Sequence, residues 1–222
     1  MESISSIFDA RIKHPFCMVV VGPTASGKTS FVIKLLEHSK SLLSPTPDYV
    51  VWFYGIETKD LSKDKYLSSN NITAIRGLPD SFDKYIIPGK SNLLIIDDLM
   101  TEVVTNRNVT ELITRQCHHK NTSVILLLQD FFYEGSQRKT FLRNAQYLVL
   151  FPTPLDMSSI YAIARKIMPK KVKTFLNIFE RATKKPYSYL FIDGNVQSPP
   201  EAQLRTDIFK PYQKVFIPIQ EK

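Results

Sequence analysis

The stretch VVVGPTASGKTSF (residues 19–31) decides the reading of the fold. A β-branched apolar run stops at Gly22, and four residues later come Gly27, Lys28 and Thr29. An amphipathic run then begins at Ser30 and Phe31. Strand, Gly-rich loop and helix in that order form the phosphate-binding pattern GxxxxGK[ST]. Glycines let backbone N–H groups curl around an anion, and the start of the helix adds partial positive charge. Gly22, Pro23, Thr24, Ala25, Ser26, Gly27, Lys28, Thr29 and Ser30 are therefore the expected nucleotide-binding residues. Lys28 is expected to reach the β and γ phosphates, and Thr29 to offer its hydroxyl to Mg²⁺. A simple Gly turn before a helix is the alternative.

Outward from the loop, short apolar runs alternate with helical patterns, which predicts a parallel sheet with crossover helices on both faces. FCMVVV (16–21), YVVWFYG (49–55), ITAIR (72–76), LLIIDD (93–98), SVILLLQ (123–129), QYLVLF (146–151) and YSYLFID (187–193) read as strands. SFVIKLLEHSK places Phe31, Leu35 and Leu36 on one helical face. TNRNVTELITRQCHH reads as a helix capped at Thr105 or Asn106. Asp156 caps a helix to about Met168, and another spans 171–182. One domain is expected over residues 1–222, with its core at about 14–193 and an irregular tail over 194–222.

Composition narrows the function classes. The 222 residues are 43% apolar and 23% charged, with a net charge of +8, which favours a polyanionic partner. Part of the excess lies in KIMPKKVK (166–173) and RATKKP (181–186), which read either as solvated faces or as nucleic-acid contacts. No apolar run is long enough to span a membrane, and the first residues lack the pattern of a signal peptide. Cys17 and Cys117 have no metal-like spacing, so free thiols in a reducing, intracellular compartment are expected.

The run LLIIDD supplies the second half of a phosphate site. A buried strand ending in Asp97 places a carboxylate at the carboxyl edge of the sheet, where it can hold Mg²⁺ through water. Asp98 follows, positioned to polarise an attacking water; a pair of acids closing a strand as a helix cap is the alternative. His118 and His119, about 100° apart on a helix, are poorly placed to share one metal ion. Trp52, Phe53 and Tyr54 read as core.

The letters GPTASGKT resemble the opening of the tRNA dimethylallyltransferases, but HSKSLLSPTPDYVVWFYG lacks the substrate-binding Asp-Ser-x-Gln segment of that family. TRQCHHKNTSVILLLQDFF followed by RKTFLRNAQYLVLFPTPLDMSSIYAIARKI resembles the FtsK-HerA group of ring-forming DNA-pumping ATPases. More closely, it is similar to the genome-packaging ATPases of the poxvirus and Polinton/adintovirus type. The resemblance covers about residues 16–193, with PYSYLFIDG as the closing strand. It implies a RecA-like P-loop NTPase, a mostly parallel sheet flanked by helices, that hydrolyses ATP with Mg²⁺ to move double-stranded DNA into a capsid.

By the same resemblance Gln129 is the polar sensor beside the γ-phosphate, or merely finishes its strand. Arg143 is the arginine finger toward a neighbour's nucleotide, with Arg138 and Arg115 as rivals. Lys28, Asp98, Gln129 and Arg143 form the implied catalytic set, and Thr29 with Asp97 the metal pair. Asn144 holds the next turn or reads the phosphate. The implied partners are duplex DNA, further copies in a hexameric ring and capsid proteins, at sites of virion assembly in the host cytoplasm or nucleus. A small-molecule or nucleoside kinase and a non-catalytic nucleotide-gated DNA-binding module are the competing functions.

Overall fold

The computed structural model describes residues 9–55, 67, 70, 72–99, 103, 106–117, 120–130, 141, 143–154 and 157–218. The chain runs β1 (Ile12–Lys13), β2 (Cys17–Val21), α1 (Lys28–Glu37), α2 (Ser39–Leu42), β3 (Leu43–Ser44), β4 (Tyr49–Tyr54), β5 (Thr73–Arg76) and β6 (Asn92–Asp97). It continues through α3 (Arg107–Glu111), β7 (Thr122–Leu128), β8 (Tyr147–Leu150), α4 (Ser158–Ile167), α5 (Val172–Ala182), β9 (Leu190–Asp193), β10 (Leu204–Thr206) and β11 (Lys214–Val215).

Among the described residues, one sheet has the order β5-β4-β6-β7-β2-β8-β9-β10-β11. From β5 to β8 every pairing is parallel. From β8 onward the pairings are antiparallel. Parallel strands covered on both faces read as continuous apolar runs, which is why CMVVV and LLII show no alternation. On one face Val19, Val21, Leu94, Ile96 and Leu126 pack against Val109 of α3, Ile160 and Ile163 of α4, and Phe175 and Phe179 of α5. On the other, Met18, Val20, Leu93, Ile95 and Leu127 lie with Phe31, Val32 and Leu35 of α1. Phe175, Ile178, Phe179 and Ala182 are the buried residues of α5, at the i, i+3, i+4, i+7 spacing of one helical stripe.

Asn106 caps α3 as expected, its side chain accepting from the Asn108 N–H. The helix does not continue as a plain α-helix: residues Leu112–Gln116 form a π-helical turn. Asp156, expected to cap α4, lies outside the described residues, as do His118 and His119. Trp52 and Phe53 are fully buried, in agreement with a core reading.

The tail departs from expectation. Residues 194–222 are not wholly irregular, because β10 and β11 extend the main sheet antiparallel to β9. A buried ion pair joins β10 to β9. Arg205 on β10 and Asp193 on β9, each 2% exposed, meet at 3.0 Å. Arg205 also donates to the Ala10 carbonyl at 2.8 Å and lies over the Phe191 ring.

Candidate active site

Three neighbouring strands end at the same sheet edge. β7 pairs with β2 on one side and β6 on the other, so Val21, Leu128 and Asp97 finish side by side. An open parallel sheet binds its ligand outside the carboxyl ends of its strands, where helix starts and loops gather. Here that edge carries the phosphate loop, both acids and Gln129.

The loop geometry follows from its residues. Gly27, at the N-cap of α1, has φ of 104°, a left-handed conformation that favours glycine. A Cβ at Gly22 would lie 2.5 Å from Cβ of Phe151 and 2.7 Å from Oγ of Ser26, so only glycine fits beneath the loop. Ala25 also turns left-handed at φ 61°. The Lys28 ammonium donates to the carbonyls of Gly22 at 2.7 Å and Pro23 at 3.0 Å, which holds it over the loop. Burial lowers its pKa, and the charges of Asp97 and Asp98 act the other way.

Thr29 lies on the first turn of α1, and its hydroxyl donates to Asp97 Oδ2 at 3.1 Å. The hydroxyl and the carboxylate are hard oxygen donors brought to one point, the donor type that Mg²⁺ takes directly or through water. Asp97 is buried, which pushes its pKa up to about 6; the Thr29 hydroxyl and the Lys28 charge oppose the rise, and Asp98 adds to it. The indole N–H of Trp52 also faces this carboxylate and helps to hold its charge, although it forms no hydrogen bond of normal geometry. Trp52 reaches Asp97 diagonally, since its register partner on β6 is Ile95.

Asp98 leaves the strand in a left-handed conformation, φ 55°. The turn is possible because Gly55, at the end of β4, has no side chain: a Cβ there would sit 2.3 Å from the Asp98 carbonyl oxygen. Turned this way, Asp98 accepts from Gln129 Nε2 at 2.6 Å. The structure thus brings Lys28, Thr29, Asp97, Asp98 and Gln129 together.

Arg143 is elsewhere. Gln146, three residues on, bonds to Cys17 at the first residue of β2: its side-chain oxygen accepts from the Cys17 N–H at 2.6 Å and its N–H donates to the Cys17 carbonyl at 2.9 Å. Arg143 therefore lies at the amino edge of the sheet, exposed, with Lys166 close enough for their charges to interact. The β2 strand separates it from the loop by about 15 Å at ~3.3 Å per residue. Arg115 is exposed on the π-helical turn, and Arg138 lies outside the described residues.

Gly55, Trp52 and Tyr187 were not readable as site residues from the sequence. Gly55 and Trp52 act on the acids only because β4 lies beside β6, and Tyr187 approaches Gly27 only through the late return of the chain to this edge. Among the described residues, no cluster of His, Cys, Asp and Glu forms a separate metal centre, and no helix is long and apolar enough to cross a membrane. Cys17 and Cys117 are free and buried, and burial pushes both thiol pKa values up.

No curated protein matches the chain. Among solved structures, the genome packaging NTPase B204 from Sulfolobus turreted icosahedral virus 2, in complex with AMP, is similar at 18% identity and a TM-score of 0.54, over 89% of this chain and 98% of that one. B204 from Sulfolobus Turreted Icosahedral Virus, described as a DNA-packaging ATPase, gives 16% identity and a TM-score of 0.53, over 93% and 100%. These likenesses carry the fold, a RecA-like P-loop NTPase sheet. The family described as Poxvirus A32 protein matches residues 7–209, a span that takes in the loop, both acids, Gln129 and Arg143. The chain belongs to the poxvirus A32 protein family.

Proposed function

We propose that this protein hydrolyses ATP to drive double-stranded DNA into a viral capsid, working as a homo-oligomeric ring. The observation that carries the reading is the meeting of Thr29 with Asp97 and of Asp98 with Gln129 at the edge that holds the phosphate loop. Positioning and electrostatic stabilisation make up most of phosphoryl-transfer catalysis, and these side chains supply both. The loop N–H groups and Lys28 hold the β and γ phosphates. Thr29 and Asp97 hold Mg²⁺, which when bound neutralises charge on the phosphate oxygens. Asp98 polarises the attacking water, and its left-handed turn and the Gln129 amide fix where its carboxylate points.

Arg143 serves a second copy of the chain. At the amino edge it is too far from its own loop, so an arginine finger here acts in trans and requires assembly. A finger is worth ~10³ or more in rate. Lys166, in the last turn of α4, is close enough to Arg143 for their charges to interact, and Lys170 and Lys173 follow it in the chain; all three lysines are exposed. That basic edge suits a polyanion or the facing subunit. Capsid proteins at the site of virion assembly in the host cytoplasm or nucleus are the remaining partners.

The test is ATPase rate per chain against protein concentration, with and without duplex DNA. The reading expects a rate that climbs with assembly and rises further with DNA, with DNA affinity weakening steeply as salt increases. A rate per chain that is independent of concentration overturns the trans finger. Nucleotide binding without turnover in any condition favours the non-catalytic module.

A further inference from the structure

Beside the phosphate loop, a cavity of about 340 Å³ opens between α1 and the last strands of the sheet. Its floor is Gly27 and Ser30, which belong to the loop and the first turn of α1. Its walls are aromatic. Phe31 packs against Tyr189 at 4.8 Å and Phe209 at 5.2 Å between ring centroids, and Tyr189 packs against Phe151 at 5.7 Å. The Tyr189 hydroxyl accepts from the Ile208 N–H at 3.2 Å, and the Thr206 hydroxyl donates to the Tyr189 carbonyl at 2.7 Å, which ties Phe209 and its segment to this wall.

Tyr187 faces the cavity differently. It is 71% exposed, although it is a large aromatic residue beside three buried ones. Its backbone is left-handed at φ 61°, a conformation uncommon outside glycine and one that gathers at ligand clamps. Its Cδ1 lies 3.4 Å from where a Gly27 Cβ would stand, so the ring covers the end of the phosphate loop. A flat, solvated ring held at the mouth of an aromatic cavity continuous with a phosphate site matches a planar heterocycle joined to phosphate. Ser30 and Lys34 contribute the polar groups of the lining, a hydroxyl and an ammonium.

We propose that this cavity is the nucleobase site, with the base stacked on Tyr187 and bounded on its far side by Phe209. The assignment rests on nucleotide binding at the loop and deepens it. It also gives the C-terminal strands a task, since the segment between β10 and β11 that carries Phe209 becomes part of the binding site.

The test compares two ligands on the full chain by calorimetry: ATP, and inorganic tripolyphosphate, which fills the loop but has no base. Tyr187→Gly suits the left-handed backbone while removing the ring. It is expected to weaken ATP binding on the order of ten-fold, as loss of one base-aromatic stack does. Tripolyphosphate affinity should be unchanged, and Tyr187→Phe should restore ATP affinity. Equal ATP affinity in wild type and Tyr187→Gly overturns the proposal, as does an equal loss for both ligands. If wild type binds tripolyphosphate as tightly as ATP, the base site falls and the phosphate loop stands. If it binds neither, both fall.

Discussion

Replacing Asp97 by Asn should make the metal-free protein more stable while destroying its chemistry. The Asp97 carboxyl is 3% exposed, and its pKa is pushed from 3.8 up to about 6 by burial. That displacement corresponds to about 3 kcal/mol of stability withheld when the group ionises in the folded chain. The folded-state pKa lies above the unfolded one, so the folded state binds the extra proton. The contribution of this one group to stability is therefore fully present below about pH 4 and is lost as pH rises through 6. The Asn side chain keeps the shape and can still accept from the Thr29 hydroxyl, but it carries no charge at any pH. In EDTA at pH 8, Asp97→Asn should gain about 3 kcal/mol by urea unfolding, or about 5–10 °C in Tm for a chain of this size. At pH 5 the gain should fall to about half. Added Mg²⁺ should raise the Tm of wild type and leave the variant unmoved, and the variant should lose ATP turnover. A Tm for Asp97→Asn equal to or below wild type at pH 8 would refute the view that this carboxylate is held charged against burial.

Three further outcomes follow from packing and protonation. Gly55→Ala puts a Cβ 2.3 Å from the Asp98 carbonyl oxygen, so it should cost about 1–3 kcal/mol of stability. Steady-state kinetics should show a lower kcat with ATP affinity kept, since it displaces Asp98 from Gln129 and not the loop. Arg205→Ala leaves Asp193 buried without its partner and should cost about 3–5 kcal/mol by urea unfolding. His14 lies 2.5 Å from Ser123 Oγ through Nδ1 and 3.0 Å from Asn121 Oδ1 through Nε2, an arrangement that fits a neutral ring. Burial lowers its pKa below 6.5, so the unfolded chain takes up the proton first and stability should fall as pH drops below about 6.5. His14→Gln should flatten that part of the pH–stability curve.

The parts of the fold written in local pattern were legible. CMVVV, LLII and VILLL announce buried parallel strands because both of their faces are covered, and GPTASGKT announces the loop because its spacing is the backbone requirement itself. What depends on neighbours in space was not. Asp98 reads as an acid beside an acid, yet its direction is set by Gly55, just after β4 and more than forty positions earlier in the chain. YSYLFID reads as one strand, but the strand begins at Leu190, and Tyr187 belongs to a left-handed turn before it. The tail reads as irregular because it is rich in proline, at 199, 200, 211 and 218, and the LRT run between them is short with a cation at its centre. The pairing of Arg205 with Asp193, with the Ala10 carbonyl and the Gln213 side chain as further acceptors, lets that cation sit inside a sheet. Arg143 is legible as a cation near a strand, but the edge on which it lies depends on the contact of Gln146 with Cys17.

Trp52 is the single tryptophan of the chain, fully buried, with its indole N–H turned toward the acid that would hold Mg²⁺. All of the protein's indole emission therefore originates beside the proposed metal site. A change in charge at Asp97, whether by proton, metal or substitution, alters the field on that one ring. The unlabelled protein thus carries its own optical probe, and stopped-flow fluorescence can time metal and nucleotide arrival separately from product release.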